Sequence, residues 1–467
     1  MTDRLHEAAV ARLLSDLAGA NLGDPRRVLR AQQIAGRLAA EPGASLPNAL
    51  ESTAELEGAY RFFNNQHVTF DDLLESHALG TVERACGAGV VLAIHDTTTC
   101  KFPHADPKEV GYTNTGKAGF LLHLTLAVDT RDWKRPLGIV HGEPLTRPKK
   151  TKRRKTTPGA RKIKESDRWL RGVEQTEQRL DGTASVIHIA DRESDSYPLM
   201  AAMKAANRRF IFRACHDRVV DNDGAKSHVR TRIQRADVVL ERSVPLSRRL
   251  AKSAPVARAR HPPRDERIAQ LRFATASAVL CCPEHCRGLP KTLAVNIVHV
   301  YEQDPPDGQE PVDWLLYTTE PVDTADQIAW IVDAYRARWL IEELNKALKT
   351  GCVVQERQLE SYAAILNMLA LSLPIAVELL ALRSLARAEP NRPASTLFST
   401  GMLAALRRLS HRPLPVRATV QDALWCVAGI GGHIKNNGQP GWLVLQRGME
   451  KFLAFAAGWC AREETDL

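Results

Sequence analysis

Four side chains with different chemistries recur at helical spacing in one stretch of the chain: Tyr335, Arg338, Glu342 and Lys349. Residues 335–349 contain no Gly or Pro and are rich in Leu, Ala, Glu, Lys and Arg, which predicts a helix. At about 100° per residue, the four side chains fall within an arc of roughly 60°. This stripe could bind a metal through its carboxylate and a phosphate through its cations, although a solvated helix face would carry the same residue types.

The opposite side of this predicted helix is apolar and consists of Leu340, Ile341, Leu344, Ala347 and Leu348. We expect this side to pack into a core and so to hold the polar stripe in place. A single carboxylate between cations cannot build a metal site. Glu342 therefore needs partner carboxylates from distant parts of the chain.

Two such carboxylates follow predicted strands. Residues 90–94 form an apolar run that leads into Asp96, and residues 185–190 form another that leads into Asp191. Three carboxylates from three distant elements are what a two-metal phosphoryl-transfer site requires, with its ions about 4 Å apart. Without metal, three packed carboxylates would repel one another. A single Asp after a strand is more often a turn residue or a helix cap, so the prediction depends on the whole set.

The order of the predicted elements indicates the fold class. It reads strand 90–94, strand 121–128, strand 136–140, helix 165–180, strand 185–190, a further helix, strand 209–213 and finally helix 335–349. This order is typical of a ribonuclease H-like α/β core. Alternating runs between residues 215 and 320 predict an antiparallel β insertion. We therefore expect a helical domain at 1–75, the α/β core at 76–355 and a helical region at 356–467.

The N-terminal region carries an unusual cluster of arginines. Asp24 and Pro25 form a helix start, as N-cap and first helical residue, and Arg26, Arg27 and Arg30 follow in the first turns. Cations at a helix N-terminus oppose the helix dipole, so helix stability does not require them, whereas a phosphate backbone would attract them. Together with a net charge of +10, the cluster indicates a nucleic-acid contact, with surface filler as the alternative.

Three other features allow more than one interpretation. Residues 147–164 hold ten Lys and Arg without an acid, which indicates a basic loop, either solvated or lying on phosphate. The cluster Cys281-Cys282-Pro283-Glu284-His285-Cys286 resembles a zinc site but lacks a second spaced pair, so ordinary loop cysteines are the better interpretation. Residues 363–382 are long enough to span a membrane, yet Asn367, Pro374 and Glu378 favour a buried helix.

The motifs together resemble those of a known family, the DDE transposases of the IS-four insertion-sequence family. The spacing Tyr335-x2-Arg338-x3-Glu342-x6-Lys349 is similar to its Y-R-E-K signature. The matching acidic motifs are Ile94-His95-Asp96-Thr97-Thr98 and Asp191-Arg192-Glu193-Ser194-Asp195, and the matching DNA-binding motifs are Leu22–Arg27 and Gly58-Ala59-Tyr60-Arg61-Phe62.

The resemblance implies a role for each motif. Asp96, Asp191 and Glu342 would be catalytic and would hold two Mg²⁺ ions, for which Mn²⁺ can substitute. Tyr335, Arg338 and Lys349 would hold phosphates at the transposon end. Trp314 would stack on a flipped base with Arg213 near it, although a core Trp is the plain alternative. Arg26, Arg27, Arg30 and Arg61 would contact the end DNA.

The family also implies a reaction and partners. We expect a homodimer that binds terminal inverted repeats and target double-stranded DNA, nicks the end, forms and reopens a hairpin and joins the end to target. We expect a cytoplasmic bacterial protein on the nucleoid, with no membrane partner. Two alternatives remain: a transposase-derived DNA-binding protein that no longer cuts, and a stand-alone ribonuclease H-like nuclease. The complete set of carboxylates argues against the first, and the N-terminal arginines argue against the second.

Overall fold

The computed structural model describes residues 5–131, 136–149, 165–222, 224–246, 248–249, 262–434 and 439–465. The fold is mixed α/β, with a large sheet and flanking helices. The chain divides into two compact units. The first unit comprises Met1–Val91, Asp96–Ser185 and Trp339–Leu467, and the second comprises Leu92–His95 and Val186–Arg338.

The elements are numbered in chain order. The helices are α1 (Leu5–Ala18), α2 (Pro25–Ala40), α3 (Leu46–Ala49), α4 (Thr53–Phe63), α5 (Phe70–Ala85), α6 (Pro107–Val110), α7 (Arg168–Leu180), α8 (Tyr197–Ala205), α9 (Val229–Ile233), α10 (Ala325–Arg336), α11 (Trp339–Lys346), α12 (Tyr362–Ala388), α13 (Thr400–Leu409), α14 (Val420–Ile430) and α15 (Trp442–Thr465). The strands are β1 (Val90–Lys101), β2 (Gly119–Asp129), β3 (Pro136–Leu145), β4 (Ser185–Ala190), β5 (Arg209–Arg213), β6 (Val219–Asn222), β7 (Ala225–His228), β8 (Val238–Leu246), β9 (Arg267–Cys281), β10 (Thr292–Glu302) and β11 (Asp313–Thr318).

The strands of the first unit form the predicted meander, in the order β3-β2-β1. Every residue of β2 is buried, so helices cover this part of the sheet. Gly138 of β3 has φ +151°, and a Cβ there would lie 2.0 Å from Thr81 Oγ1 of α5, so only Gly permits this close helix–strand approach.

The strand β1 corrects one expectation. It continues to Lys101 instead of ending at Asp96, because the β-branched residues 97–99 favour extended backbone.

The longest apolar helix, α12, is part of the first unit. It is long and apolar enough to cross a membrane, with a mean hydropathy of 2.1 in its most apolar window, but 72% of that window is buried within the protein. Its Asn367 donates to the carbonyl oxygens of Phe63 and Val68, at 2.9 and 2.8 Å. These contacts are typical of a core helix, and they attach α12 to the N-terminal helices.

The second unit contains residues Leu92–His95 of β1 and a sheet in the order β4-β5-β11-β10-β9-β6-β7, with β8 paired to β9. The strands β4 and β5 are parallel and are connected through helix α8. The remaining neighbours in this order are antiparallel, namely β5–β11, β11–β10, β10–β9, β9–β6 and β6–β7. In the β9–β10 pair, Thr292 lies opposite Cys281 and Glu302 opposite Leu271. The alternating runs in residues 215–320 therefore form antiparallel strands, as predicted.

The prediction of one continuous helix over residues 335–349 is wrong. Helix α10 ends at Arg336, α11 begins at Trp339, and a π-helical turn occupies Ala347–Gly351. At the break, Arg338 N–H donates to the carbonyl of Tyr335 at 3.0 Å, an i→i+3 bond that tightens the turn. Tyr335 and Arg338 group with the second unit and Trp339 with the first, so tertiary packing overrides helix propensity here.

Candidate active site

Within the first unit, α11 and the turn after it lie against strand β1. Asn345 donates from Nδ2 to Oδ2 of Asp96 at 2.8 Å, and Lys349 donates from Nζ to Thr98 Oγ1 at 2.5 Å. Asp96 and Thr98 lie on one face of the strand, because side chains two residues apart point the same way. Glu342 precedes Asn345 by one helical turn. The structure thus attaches the segment that carries Glu342 to the strand that carries Asp96.

Burial shapes the electrostatics of this contact. It lowers the pKa of Lys349, an effect that Cys100 and Asp96 oppose. The side chain of Asn345 is 8% exposed, and its Oδ1 is buried without a hydrogen-bond partner. The two helix-to-strand bonds therefore lie in a largely desolvated environment, where both are stronger than they would be in water.

The second unit holds an aromatic and cationic cluster around Tyr335. Tyr335 and Arg338 are buried, at 4% and 8% exposure, and the Arg338 guanidinium lies 5.9 Å from the centre of the Tyr335 ring. Trp314 packs edge to face on Tyr335, with ring centres 5.8 Å apart. The Arg213 guanidinium lies 5.8 Å from the Trp314 ring centre. The structure therefore brings together four of the residues predicted to contact DNA.

The pKa shifts in this cluster reflect its burial. Burial raises the pKa of Tyr335 and lowers the pKa of Arg213. Arg338 and Arg213 oppose the shift of the phenol, while the Asp191 carboxylate adds to it. Asp191 therefore lies within electrostatic reach of Tyr335, although it is distant in sequence. Two guanidinium groups and a phenol in one cluster are donors of the kind that bind a phosphate.

The acidic motif 191–195 contains two Asp residues with different tasks. Asp191 caps a short 3₁₀ turn, accepting a bond from Glu193 N–H at 2.9 Å. Asp195 has a fully buried side chain that accepts from the backbone N–H groups of Cys215 and His216, at 2.6 and 2.8 Å, and from Arg218. Asp195 thus fixes the loop after β5. The sequence reading did not assign it this role.

The three predicted metal ligands are distributed over both units. Asp96 and Glu342 belong to the first, and Asp191 belongs to the second. Among the residues that the structure describes, no group of three or more His, Cys, Asp or Glu side chains is arranged to hold a metal ion, and this includes the cysteines at 281–286. The donor chemistry at Asp96 nevertheless suits Mg²⁺ or Mn²⁺, because these ions prefer carboxylate oxygens and the Asn345 amide holds this carboxylate in place. The metal assignment remains a prediction.

The N-terminal arginines differ in exposure. The Arg26 side chain is 91% exposed, and Arg61 is exposed in the last turn of α4. Arg27 donates to the Leu22 carbonyl at 2.7 Å, so it also fixes the entry to α2. Arg30 donates to Gln33 and lies against Gly58 of α4. The predicted cap is confirmed, because Asp24 accepts from Arg26 N–H at 2.8 Å.

The basic loop at 147–164 lies mostly outside the described residues. Of its cations, Arg147 pairs with Glu165, which follows the loop.

Sequence reasoning missed two polar residues next to the predicted ligands. Asn345 bonds to Asp96, and Glu343 pairs with Arg383 of α12. Asn345 lies three residues after Glu342, so helical spacing alone would have predicted that both lie on the same helix face. Glu343 gave no such signal, because its partner is 40 residues away.

Comparison with known proteins gives two family matches and one similar solved structure. A family model described as transposase DNA-binding matches residues 13–68, and one described as transposase DDE domain matches residues 89–376. A cryo-EM structure of a piggyBac transposase synaptic complex with hairpin DNA is similar over 80% of this chain, at 8% identity and a TM-score of 0.30. The match covers 54% of that chain, so this chain spans about half its length. With more than half of its residues matched by the transposase DDE domain, the chain belongs to the DDE transposase family.

Proposed function

We propose that this protein is a DNA transposase that binds the ends of its element and cuts and joins DNA with divalent metal ions. The observation that carries the proposal is the attachment of the Glu342 helix to the Asp96 strand through Asn345 and Lys349, in a chain of the DDE family. Family membership alone would leave open whether the acidic residues are placed for chemistry. These two hydrogen bonds hold the segment that carries Glu342 against the strand that carries Asp96.

In this mechanism, Asp96, Asp191 and Glu342 supply the carboxylates. Bound Mg²⁺ or Mn²⁺ ions supply activation of the attacking oxygen and neutralisation of charge on the leaving oxygen. Arg213, Arg338 and Tyr335 would hold a phosphate of the end DNA, since two guanidinium groups and a phenol offer several donors to one anion.

Lys349 would contribute through position more than through mobility. Its bond to Thr98 holds the ammonium on the face of β1 that carries Asp96. A cation fixed there can donate a hydrogen bond to a phosphate oxygen with little further loss of side-chain entropy. Burial lowers the pKa of Lys349, and an incoming phosphate would favour its charged form.

The finer identity of the enzyme is also part of the proposal. We place it in the IS-four family, near the transposase of transposon Tn-five, on the strength of the Y-R-E-K spacing and the two acidic motifs. The core would be ribonuclease H-like, between an end-binding domain at 1–75 and a dimerisation region from 356. The reaction would run through nicking, hairpin formation, hairpin opening and strand transfer in a homodimer acting on the nucleoid in the cytoplasm.

The test is incubation of the purified chain with DNA that carries the element's own ends. We expect nicking at the end in Mg²⁺ or Mn²⁺, and none when the metal is chelated. Binding without any cleavage in either metal would support the alternative of a non-cutting DNA-binding descendant. Cleavage of DNA regardless of the ends would support a general nuclease. Either result would overturn the proposal.

A further inference from the structure

The nitrogen and the oxygen of the Asn345 side-chain amide differ in their hydrogen bonding. Its Nδ2 donates to Asp96 Oδ2 at 2.8 Å, whereas its Oδ1 is buried and has no hydrogen-bond partner. The side chain is 8% exposed, so solvent reaches little of it. Buried polar atoms in folded proteins are nearly always paired, and an exception requires an explanation.

The orientation of this amide follows from its neighbour. If the amide were turned by 180°, its oxygen would face the Asp96 carboxylate and the two acceptors would repel each other. Asp96 therefore directs the N–H toward itself and the oxygen away. A residue needed only for packing would be apolar, as its neighbour Leu344 is, because a buried amide with one unmet atom is less stable there than a hydrocarbon.

A second hydrogen bond holds the same segment on β1, so the segment does not depend on Asn345 alone for its attachment. Lys349 Nζ donates to Thr98 Oγ1 at 2.5 Å, one turn further along the same segment. The apolar side chains of Ile341 and Leu344 are fully buried and add to the docking of α11. Removing the Asn345 amide would therefore leave the segment docked on β1, while removing a hydrogen bond that orients the Asp96 carboxylate.

We propose that Asn345 is a positioning residue of the site: its Nδ2–H holds the Asp96 carboxylate in the orientation in which it would bind the divalent cation. The inference rests on the proposed function and deepens it. Carboxylate oxygens are hard donors that suit Mg²⁺. Partners that orient a metal ligand typically change metal affinity by about 10–100-fold when they are removed.

The test compares Asn345→Leu, which keeps the size of the side chain, and Asn345→Ala with the parent chain. Asn367→Leu is the matched control, because Asn367 is also buried but donates to the Phe63 and Val68 carbonyls. Mn²⁺ binding is measured by calorimetry on the full chain, and the Mg²⁺ concentration for half-maximal nicking is measured on end DNA. Melting temperature and end-DNA affinity are followed in parallel.

For Asn345→Leu and Asn345→Ala we expect the Mn²⁺ dissociation constant and the half-maximal Mg²⁺ concentration to rise by about 10-fold or more, with end binding unchanged. Asn367→Leu should lower the melting temperature and leave both metal values at the parental level. The inference is overturned if either Asn345 variant folds and keeps parental metal values. A parent chain that neither binds Mn²⁺ nor nicks end DNA would instead overturn the proposed function, and this inference with it.

Discussion

The carboxylate of Glu343 accepts hydrogen bonds from both the Trp442 indole and the Arg383 guanidinium. The indole Nε1 lies 3.0 Å from Oε2, and the Arg383 guanidinium lies 4.5 Å from the centre of the Trp442 ring. Burial lowers the pKa of Arg383 to about 10, and the pKa of Glu343 is lowered although burial opposes this, because Lys346, Arg383 and Trp442 stabilise its charge. The helix that carries Glu342 is thereby fastened to α12 and α15.

This buried pair predicts an asymmetric response to mutation. Arg383→Met leaves the Glu343 charge buried with fewer donors, and we expect it to lower the free energy of unfolding by about 3–5 kcal/mol. The double variant Glu343→Leu with Arg383→Met removes both charges and should recover most of that loss. Urea denaturation measures both values.

The control is a more exposed pair of the same kind. Arg392 pairs with Glu389 at 3.1 Å, and their side chains are 34% and 51% exposed. Arg392→Met should cost less than about 1 kcal/mol. If Arg383→Met costs no more than Arg392→Met, the pair does not fasten the helix.

Trp314 predicts a selective effect on one step of the reaction. It is half-buried on β11 and meets Tyr335 and Arg213, so it is accessible enough to serve as a platform for a flipped base. Base stacking on an aromatic ring contributes about 1–3 kcal/mol. We expect Trp314→Ala to reduce hairpin yield sharply while first-strand nicking and melting temperature stay close to the parental values.

Trp169 provides the comparison for Trp314. It is 4% exposed and packs edge to face on His123, so Trp169→Ala should cost about 3–5 kcal/mol of stability and depress every step together. If Trp314→Ala behaves like Trp169→Ala, Trp314 is a core residue and the base-flipping role is lost.

The N-terminal arginines predict a change in the salt dependence of end binding. Each phosphate contact removed should reduce the slope of log affinity against log salt by about one unit. The double variant Arg26→Ala with Arg61→Ala is the sharper test, because Arg27 also bonds to the Leu22 carbonyl and its loss would disturb α2. Arg447→Ala, an exposed arginine on α15, is the control. Parental slope and affinity in the double variant would exclude the role.

Asp313 predicts a pH dependence of stability. A bond from His299 at 2.9 Å and the Arg230 charge lower its pKa to about 2. Because the folded-state pKa lies below the ordinary value, the carboxylate stabilises the fold above about pH 4, and this contribution is lost as the pH falls towards about 2. The side chain is 40% exposed, so solvent screening keeps the effect near 1 kcal/mol or below, about the size of a surface pair.

Asp313→Asn removes that titration. The variant should show a flatter dependence of the free energy of unfolding on pH between about 4 and 2 than the parent, as measured by denaturation at several pH values. An identical dependence in parent and variant would show that the His299 and Arg230 contacts do not hold the charge.

Periodicity and turn chemistry predicted most elements of the chain, because their signals are local. The strand at 185–190 has the predicted limits, and the Asp24 cap has the predicted bond. The break between α10 and α11 was not predictable in this way. Residues 335–349 have strong helix propensity throughout, yet α10 ends at Arg336 and α11 begins at Trp339.

The site was predictable where spacing carried information and not where partners are distant. Lys349 of the predicted stripe contacts β1, and Asn345, which also contacts this strand, could have been added to the stripe by helical spacing alone. The Arg383 partner of Glu343 and the loop contacts of Asp195 arise from tertiary packing between segments far apart in the chain. No local pattern encodes such pairs.

The assignment of Asp96, Asp191 and Glu342 as the metal-binding carboxylates is tested most directly by separating cleavage from binding. Asp96→Ala, Asp191→Ala and Glu342→Ala are each compared with the parent on end DNA in Mg²⁺, with Glu389→Ala, whose side chain is 51% exposed, as the control. We expect each of the three variants to reduce nicking to the level of the metal-free reaction, with end-binding affinity nearly unchanged, and the control to nick normally. Nicking by Glu342→Ala at a near-parental rate would contradict the account.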